Sequence, residues 1–105
     1  MSATRTKYQG TWHFDEKHGF GVETWIDGSK YEGQYKHNLK SGTGTYTWPD
    51  GSIYTGEYYK DTINGLGIVQ WIDGSSYDGF WIEGKMHGKG AYTFNDGRVY
   101  IGNFI

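Results

Sequence analysis

The side chains that could take part in chemistry are few and scattered along this 105-residue sequence. Cysteine is absent, which excludes disulfides and thiolate metal sites. Of the four histidines (His13, His18, His37 and His87), only His18 and His87 share a position in a 23-residue repeat. Three repeats of paired strands would separate these two by roughly 30 Å. We therefore expect solvated loop histidines and no metal site.

No motif of a catalytic or nucleotide-binding site is complete. The Gly-x-Gly pairs, such as Gly19 and Gly21, lack the third glycine and the helix of a phosphate-binding loop. No Gly-x-Ser-x-Gly sequence marks a hydrolase nucleophile. Glu32 and Asp78 each follow a repeated tyrosine on a polar strand face, where solvated carboxylates are a simpler explanation than a general acid–base pair. We expect no catalytic residues and no cofactor, and so no enzyme activity.

Charge and hydropathy restrict the partners and the location. The net charge is −2 and the ten basic residues are dispersed, so composition gives no argument for binding nucleic acid. The first seven residues are too short and polar for a signal peptide, and no apolar run is long enough to span a membrane. Together with the lack of cysteine, these features favour a cytoplasmic location.

Eighteen glycines, against one proline, follow a strict 23-residue spacing together with aromatic residues. Seventeen of them fall at repeat positions, and Gly84 is the exception. The repeated landmarks are Tyr-x-Gly-x-aromatic, then a Gly-x-Gly pair, then an aromatic residue two positions before Asp-Gly. The repeated tyrosines are Tyr8, Tyr31, Tyr54, Tyr77 and Tyr100.

Alternation with a period of two predicts an all-β chain built from hairpins. In residues 47–52, proline and aspartate suit a type I turn, and Gly51 suits the left-handed bulge after it. That three-residue loop places Trp48 opposite Ser52, Tyr46 opposite Tyr54, and Gly44 opposite Gly56. One face of the hairpin then carries the aromatic rings and the other is mostly polar.

The sequence therefore predicts an elongated, single-layer antiparallel array of about four repeats plus a partial fifth. Four copies at two strands each would make a rod on the order of 40 Å long. We expect an N-terminal tail at 1–7 and the array at 8–105. Within the array we expect a lone leading strand near 8–12, hairpins near 20–35, 43–58, 66–81 and 89–104, and connecting loops such as 36–40 and 60–64.

A single-layer sheet has no second layer to cover its aromatic face, so some rings should stay accessible. Contiguous exposed apolar surface usually marks a binding site for a partner. These rings can also serve only as packing, and the two interpretations are not exclusive. The predicted partner-binding groove consists of Trp25, Tyr46, Trp48, Trp71, Tyr92 and Phe94.

The combination of Tyr-x-Gly, Gly-x-Gly and Asp-Gly at this spacing resembles the MORN repeat (membrane occupation and recognition nexus) over residues 8–104. The resemblance implies a recruitment or scaffolding role, in which an aromatic groove holds a partner peptide or helix. It also implies possible association with the cytoskeleton, with cilia or with the membrane periphery. Some proteins with such repeats are lipid kinases or methyltransferases that carry a separate catalytic domain.

Three alternatives remain open. A phospholipid-binding module would use loop cations, namely Lys17, Lys36, Lys40, Lys60, Lys85 and Lys89. The chain could instead be a regulatory segment of a larger enzyme, or form a homodimer through its edge strands. Glu23 replaces the aromatic or aliphatic residue of the other repeats, which either weakens the aromatic face or offers a charge to a partner. The sequence stops inside a fifth copy, so we expect a fragment of a longer protein or an end covered by a second chain.

Overall fold

The computed structural model describes residues 6–104, which form a single antiparallel sheet of nine strands in sequence order. The all-β, single-layer prediction is confirmed, and the extents of 46 × 24 × 20 Å match the predicted rod. No helix among residues 6–104 could span a membrane. The strands are β1 Thr6–His13, β2 Glu16–Trp25, β3 Lys30–Lys36, β4 Leu39–Thr47, β5 Ile53–Tyr59, β6 Thr62–Gln70, β7 Ser76–Ile82, β8 Lys85–Thr93 and β9 Val99–Phe104.

The wide turns between β2 and β3, β4 and β5, β6 and β7, and β8 and β9 have the predicted form. In the second of these, the Gly51 amide donates a hydrogen bond of 3.0 Å to the Trp48 carbonyl, and Gly51 has a φ of +99°. This is a type I turn followed by a left-handed glycine. Tyr46 pairs with Tyr54 and Gly44 with Gly56, so the register deduced from the turn is confirmed.

The other connections are shorter than the sequence suggested. Segments 36–40 and 60–64 are not loops, because β3 and β5 each reverse through two residues, His37-Asn38 and Lys60-Asp61. All four residues have φ between 47° and 69°, as in the type I′ turn that suits the twist of paired strands. Neither turn contains an Asn-Gly or Asp-Gly pair, so neither was predicted.

The first strand is also paired, whereas a lone leading strand was expected. A two-residue turn at Phe14-Asp15 joins β1 to β2, and the two strands pair from Thr6 to His13. The array is thus a continuous meander in which every strand has a neighbour. Of the predicted tail, residues 6–7 belong to β1, while residues 1–5, like Ile105, lie outside the described residues.

The core is built around three of the repeated tyrosines, Tyr31, Tyr54 and Tyr77, which are fully buried. Each is packed edge-to-face against the ring four positions later; the ring centroids of Tyr54 and Tyr58 are 5.4 Å apart. Each hydroxyl donates a hydrogen bond to the carbonyl three residues along, at 2.9 Å for Tyr31 to Gln34. Each hydroxyl is therefore satisfied within its own repeat. Each ring is also packed against the next repeat, as Tyr31 is against Tyr58 with ring centroids 5.3 Å apart.

Hydrogen bonds from turn residues join a repeat to the one before it. The Lys40 amide donates to Asp61 Oδ1 at 2.7 Å, and the Asp61 amide donates to the Lys40 carbonyl at 2.9 Å. Asn38 makes the same pair of bonds with Lys17 of the first repeat. Because these bonds join adjacent repeats, the array is stabilised by neighbour-to-neighbour contacts.

The face opposite the aromatic rings is less polar than predicted. Around β4 and β5 it carries Thr45, Thr55 and Glu57, as expected. Around β6 and β7 it exposes apolar side chains, chiefly Leu66, Ile68 and Phe80. The prediction was based on the residues of the second hairpin. The third hairpin has apolar residues at positions where the second has polar ones.

Candidate partner-binding groove

The structure brings the six predicted groove residues onto one face, in two clusters of three rings. In the first cluster, Tyr46 lies between Trp25 and Trp48, with centroid distances of 5.8 and 5.1 Å. In the second, Tyr92 lies between Trp71 and Phe94, at 5.6 and 4.9 Å. We call these the N-terminal ring cluster and the C-terminal ring cluster.

The rings of both clusters are partly exposed. Phe94 is 40 % exposed, and the other five are half-buried against the tyrosine core. Because side chains alternate along a strand, each ring lies on the same side of the sheet as the buried tyrosines. The ring before each Asp-Gly lies next to a wide turn, at the border of that face. The clusters therefore combine packing on the core with an accessible outer surface.

The gap between the two clusters exists because the third repeat has Val69 where the second and fourth have Tyr46 and Tyr92. Val69 is 2 % exposed and fills the core without projecting a ring. An open cavity of about 400 Å³ lies here, lined by Trp48, Pro49, Asp50, Ser52 and Trp71.

A second cavity, of about 230 Å³, lies beside the first against the tyrosine core. Trp48 lines both cavities, which makes it the central side chain of the groove. The remaining lining residues are Lys40, Tyr46, Tyr58, Asp61, Thr62, Ile63 and Gly84.

Lys40 lies on this face within β4, with its ammonium over three rings. Its Nζ atom is 5.3 Å from the Trp25 ring centroid, 5.4 Å from that of Tyr31 and 5.9 Å from that of Tyr46. Asp61 lies 3.8 Å from the same ammonium, whose side chain is only 16 % exposed. The stem of Lys40 thus covers the N-terminal ring cluster, and its charge is held by ring faces and one carboxylate.

Glu23 is buried, which resolves the two interpretations of this unusual residue. The Tyr35 hydroxyl donates to Glu23 Oε1 at 2.6 Å, and Lys17 Nζ lies 3.1 Å from Oε2. The carboxylate therefore has two partners inside the chain, and it is 6 % exposed. It does not offer a charge to an external partner.

The electrostatics of the core follow from burial. Burial raises the pKa of the Tyr54 hydroxyl from 10.0 to about 12. Burial raises the pKa of Tyr35 still further, and the hydrogen bond to Glu23 adds to the effect. At neutral pH these hydroxyls are protonated donors. The groove thus offers ring faces, apolar side chains and paired charges, a set suited to binding a segment of another molecule.

Of the six cations considered for lipid binding, five lie within strands and Lys60 lies in a turn. Lys17 and Lys40 lie within strands on the groove face and are held by Glu23, Asp61 and aromatic rings. Sequence reasoning missed these contacts because it treated segments around the tight turns as loops. One sign of these contacts was present in the sequence. Lys17 and Lys40 occupy the repeat position at which the next two repeats have the apolar residues Ile63 and Met86.

Sequence profiles of protein families show which family the chain belongs to. The MORN repeat profile matches four consecutive segments, at residues 8–30, 31–53, 54–76 and 77–97. The chain belongs to the MORN repeat family. A comparison with curated proteins finds no match. MORN repeats are in general non-enzymatic modules that interact with proteins or membranes, which agrees with a groove built from ring faces.

Proposed function

We propose that this MORN array is a protein-interaction module that docks an extended or helical segment of a partner on its aromatic groove. The observation that supports the proposal best is that two clusters of three rings remain accessible on one face, with a cavity between them. Aromatic side chains that are anchored on a rigid base and still reach solvent are the usual centres of binding energy.

The partner segment should be apolar or aromatic at its centre, because the cavity between the clusters is bounded by Trp48 and Trp71. Charges on the groove face are largely paired within the array: Lys17 with Glu23 and Lys40 with Asp61. A strongly charged partner would therefore gain little from this face.

Phe94 and Phe80 allow a controlled test. They are the same residue type with similar exposure, 40 % and 47 %, and they lie on opposite faces of the sheet. A photo-reactive phenylalanine analogue is placed at each position in turn, and cross-linked proteins from a cell lysate are compared. The proposal predicts a discrete product from position 94 whose yield falls in the Trp48→Ala, Trp71→Ala variant. Equal products from both positions would contradict it.

Phospholipid recruitment is the alternative function, and the same chain tests it by flotation with anionic vesicles. The contacts of Lys17 and Lys40 leave Lys36, Lys60, Lys85 and Lys89 as the cations for such a surface. Binding that falls steeply with salt and is insensitive to the groove variant would favour lipid.

Self-association is a second way in which the array could assemble. β1 and β9 are the outer strands of the sheet formed by residues 6–104, and their outer backbone groups could pair with another copy. Sedimentation velocity would show a dimer. We place the scaffolding role in the cytoplasm, at the cytoskeleton, cilium or membrane periphery, and the cross-linked partner would test this location.

A further inference from the structure

Three of the four histidines lie close together near the ends of strands, on the side of the sheet that has the two-residue turns. Their positions in the repeat did not predict this. His13 ends β1, His18 lies in β2, and His37 lies in the turn between β3 and β4. The ring centroids of His13 and His18 are 5.4 Å apart, and those of His18 and His37 are 6.1 Å apart. These residues occupy different positions in their repeats and meet because the two-residue turns are stacked side by side.

A carboxylate belongs to the same cluster. Glu16 Oε1 lies 3.0 Å from His37 Nδ1. A carboxylate that accepts the Nδ1–H of a histidine leaves the Nε2 lone pair free and makes it more basic, which is the usual arrangement around histidines that bind metals. Asp15 precedes Glu16 in the chain, so the cluster has acidic neighbours as well as the basic Lys36.

The spacing of the rings is close to that of shared coordination. Two imidazoles bound to one tetrahedral Zn²⁺ at about 2.1 Å hold their ring centres roughly 5 Å apart. Within residues 6–104, no group of three candidate ligands already holds its donor atoms in position for a metal. His13 and His37 are exposed, however, and can rotate towards His18 without disturbing the core.

We propose that His13, His18 and His37 bind one divalent transition-metal ion of the zinc type, with Glu16 orienting His37. Imidazole nitrogens favour Zn²⁺, Cu²⁺ and Ni²⁺ over Mg²⁺ and Ca²⁺. The ion would join β1 and β2 to the turn that follows β3, and so bind the first repeat to the second. The site lies outside the aromatic groove, so it stands independently of the proposed partner.

His87 provides a matched control. It shares the repeat position of His18, but the fourth repeat has Ile82 at the position of His13. Isothermal titration of the full chain with Zn²⁺ should show one ion per chain. His18→Ala should weaken binding by more than about tenfold, and Glu16→Gln by up to about tenfold. His87→Ala should bind as the unchanged chain does, and circular dichroism checks that each variant is folded.

A second measurement separates coordination from non-specific binding. In NMR spectra of the imidazole protons, Zn²⁺ should shift the signals of His13, His18 and His37 and leave His87 in place. Binding should also weaken in acid, because a protonated imidazole nitrogen cannot bind a metal. The proposal is overturned if binding is not saturable, if all four histidines shift alike, or if His18→Ala and His87→Ala bind Zn²⁺ equally.

Discussion

The ring of Tyr54 lies so close to the backbone of Gly67 that a Cβ atom on Gly67 would be 2.6 Å from the ring carbon Cζ. The same relationship joins Tyr31 to Gly44 and Tyr77 to Gly90. Each buried tyrosine therefore requires a residue without a side chain on the neighbouring strand. This explains why the second glycine of each Gly-x-Gly pair recurs with the period of the tyrosines.

Replacing Gly67 by alanine should destabilise the array strongly, because the new methyl group overlaps the buried ring of Tyr54. We expect a loss of about 3 kcal/mol in the free energy of unfolding, at the upper end for overpacked sites. Gly28→Ala is the control: it has open space around its Cβ position but a φ of +98°, so its cost of about 1 kcal/mol reflects backbone strain alone. Denaturant unfolding measures both, and an equal loss would contradict the steric explanation.

The stability of the first repeat should depend on both Lys17 and Glu23, whose side chains form an ion pair. Lys17→Ile leaves the Glu23 carboxylate, which is 6 % exposed, without its cation and should cost about 2 kcal/mol. Adding Glu23→Val copies the third repeat, where Ile63 and Val69 occupy these positions. The double variant should recover part of the loss, since a well-packed apolar pair often replaces a buried ion pair without penalty. The recovery is incomplete because the buried Tyr35 hydroxyl loses its acceptor.

Thermal unfolding of the single and double variants checks this prediction. The control is the single replacement Glu23→Val, which removes the carboxylate and leaves the partly exposed Lys17. If the double variant is no more stable than Lys17→Ile alone, the unpaired carboxylate is not the cause of the loss, and the prediction is contradicted.

Asp61 should act through its side-chain oxygen more than through its charge. Asp61→Asn keeps an oxygen that can accept from the Lys40 amide at this turn and tolerates the φ of 69°. Asp61→Ala removes the acceptor and strains the turn, so we expect a loss of about 1–2 kcal/mol for alanine and less than about 0.5 kcal/mol for asparagine. Equal losses in urea unfolding would show that the ion pair with Lys40 matters more.

Stability should fall at high pH because the pKa values of buried tyrosines are raised in the folded state. Tyr54 has a folded pKa of about 12, against 10.0 for an ordinary tyrosine. Its contribution is complete below pH 10 and is lost as pH rises towards 12, since only the unfolded chain ionises readily in that window. Burial raises the pKa of Tyr31, Tyr35 and Tyr58 beyond this.

Ultraviolet absorbance of tyrosinate, recorded beside circular dichroism, tests this prediction. An ordinary tyrosine in water ionises near pH 10. The buried group should ionise only at higher pH, together with loss of the β-sheet signal. Ionisation of all ten tyrosines near pH 10 without unfolding would contradict the buried core.

Much of this fold could be predicted because one physical requirement repeats every 23 residues. A glycine faces each tyrosine ring, and a left-handed glycine follows each Asp, so the register of Tyr46 with Tyr54 followed from turn chemistry. The six predicted groove residues lie on one face of the sheet for the same reason, since alternation puts them on the side of the buried tyrosines.

Other features depend on contacts between repeats that no single repeat encodes. The His37-Asn38 turn uses residues that tolerate positive φ without requiring it, so its length was not evident. Glu23 contacts Lys17 on its own strand and Tyr35 on the next strand. These contacts follow from how β2 and β3 lie side by side at the one repeat position that has glutamate. The apolar patch at Leu66 and Phe80 arises because strands of two neighbouring repeats pair these residues.

The central claim, that the two ring clusters bind a partner, is tested most directly by the affinity of the cross-linked protein for two double variants. Trp48→Ala, Trp71→Ala removes one ring from each cluster, and Leu66→Ala, Phe80→Ala removes comparable apolar surface from the opposite face. With both variants shown to be folded, calorimetry should give at least about 30-fold weaker binding for the first, equal to about 2 kcal/mol, and no change for the second. Unchanged affinity in the tryptophan variant, or an equal loss in both, would contradict the claim.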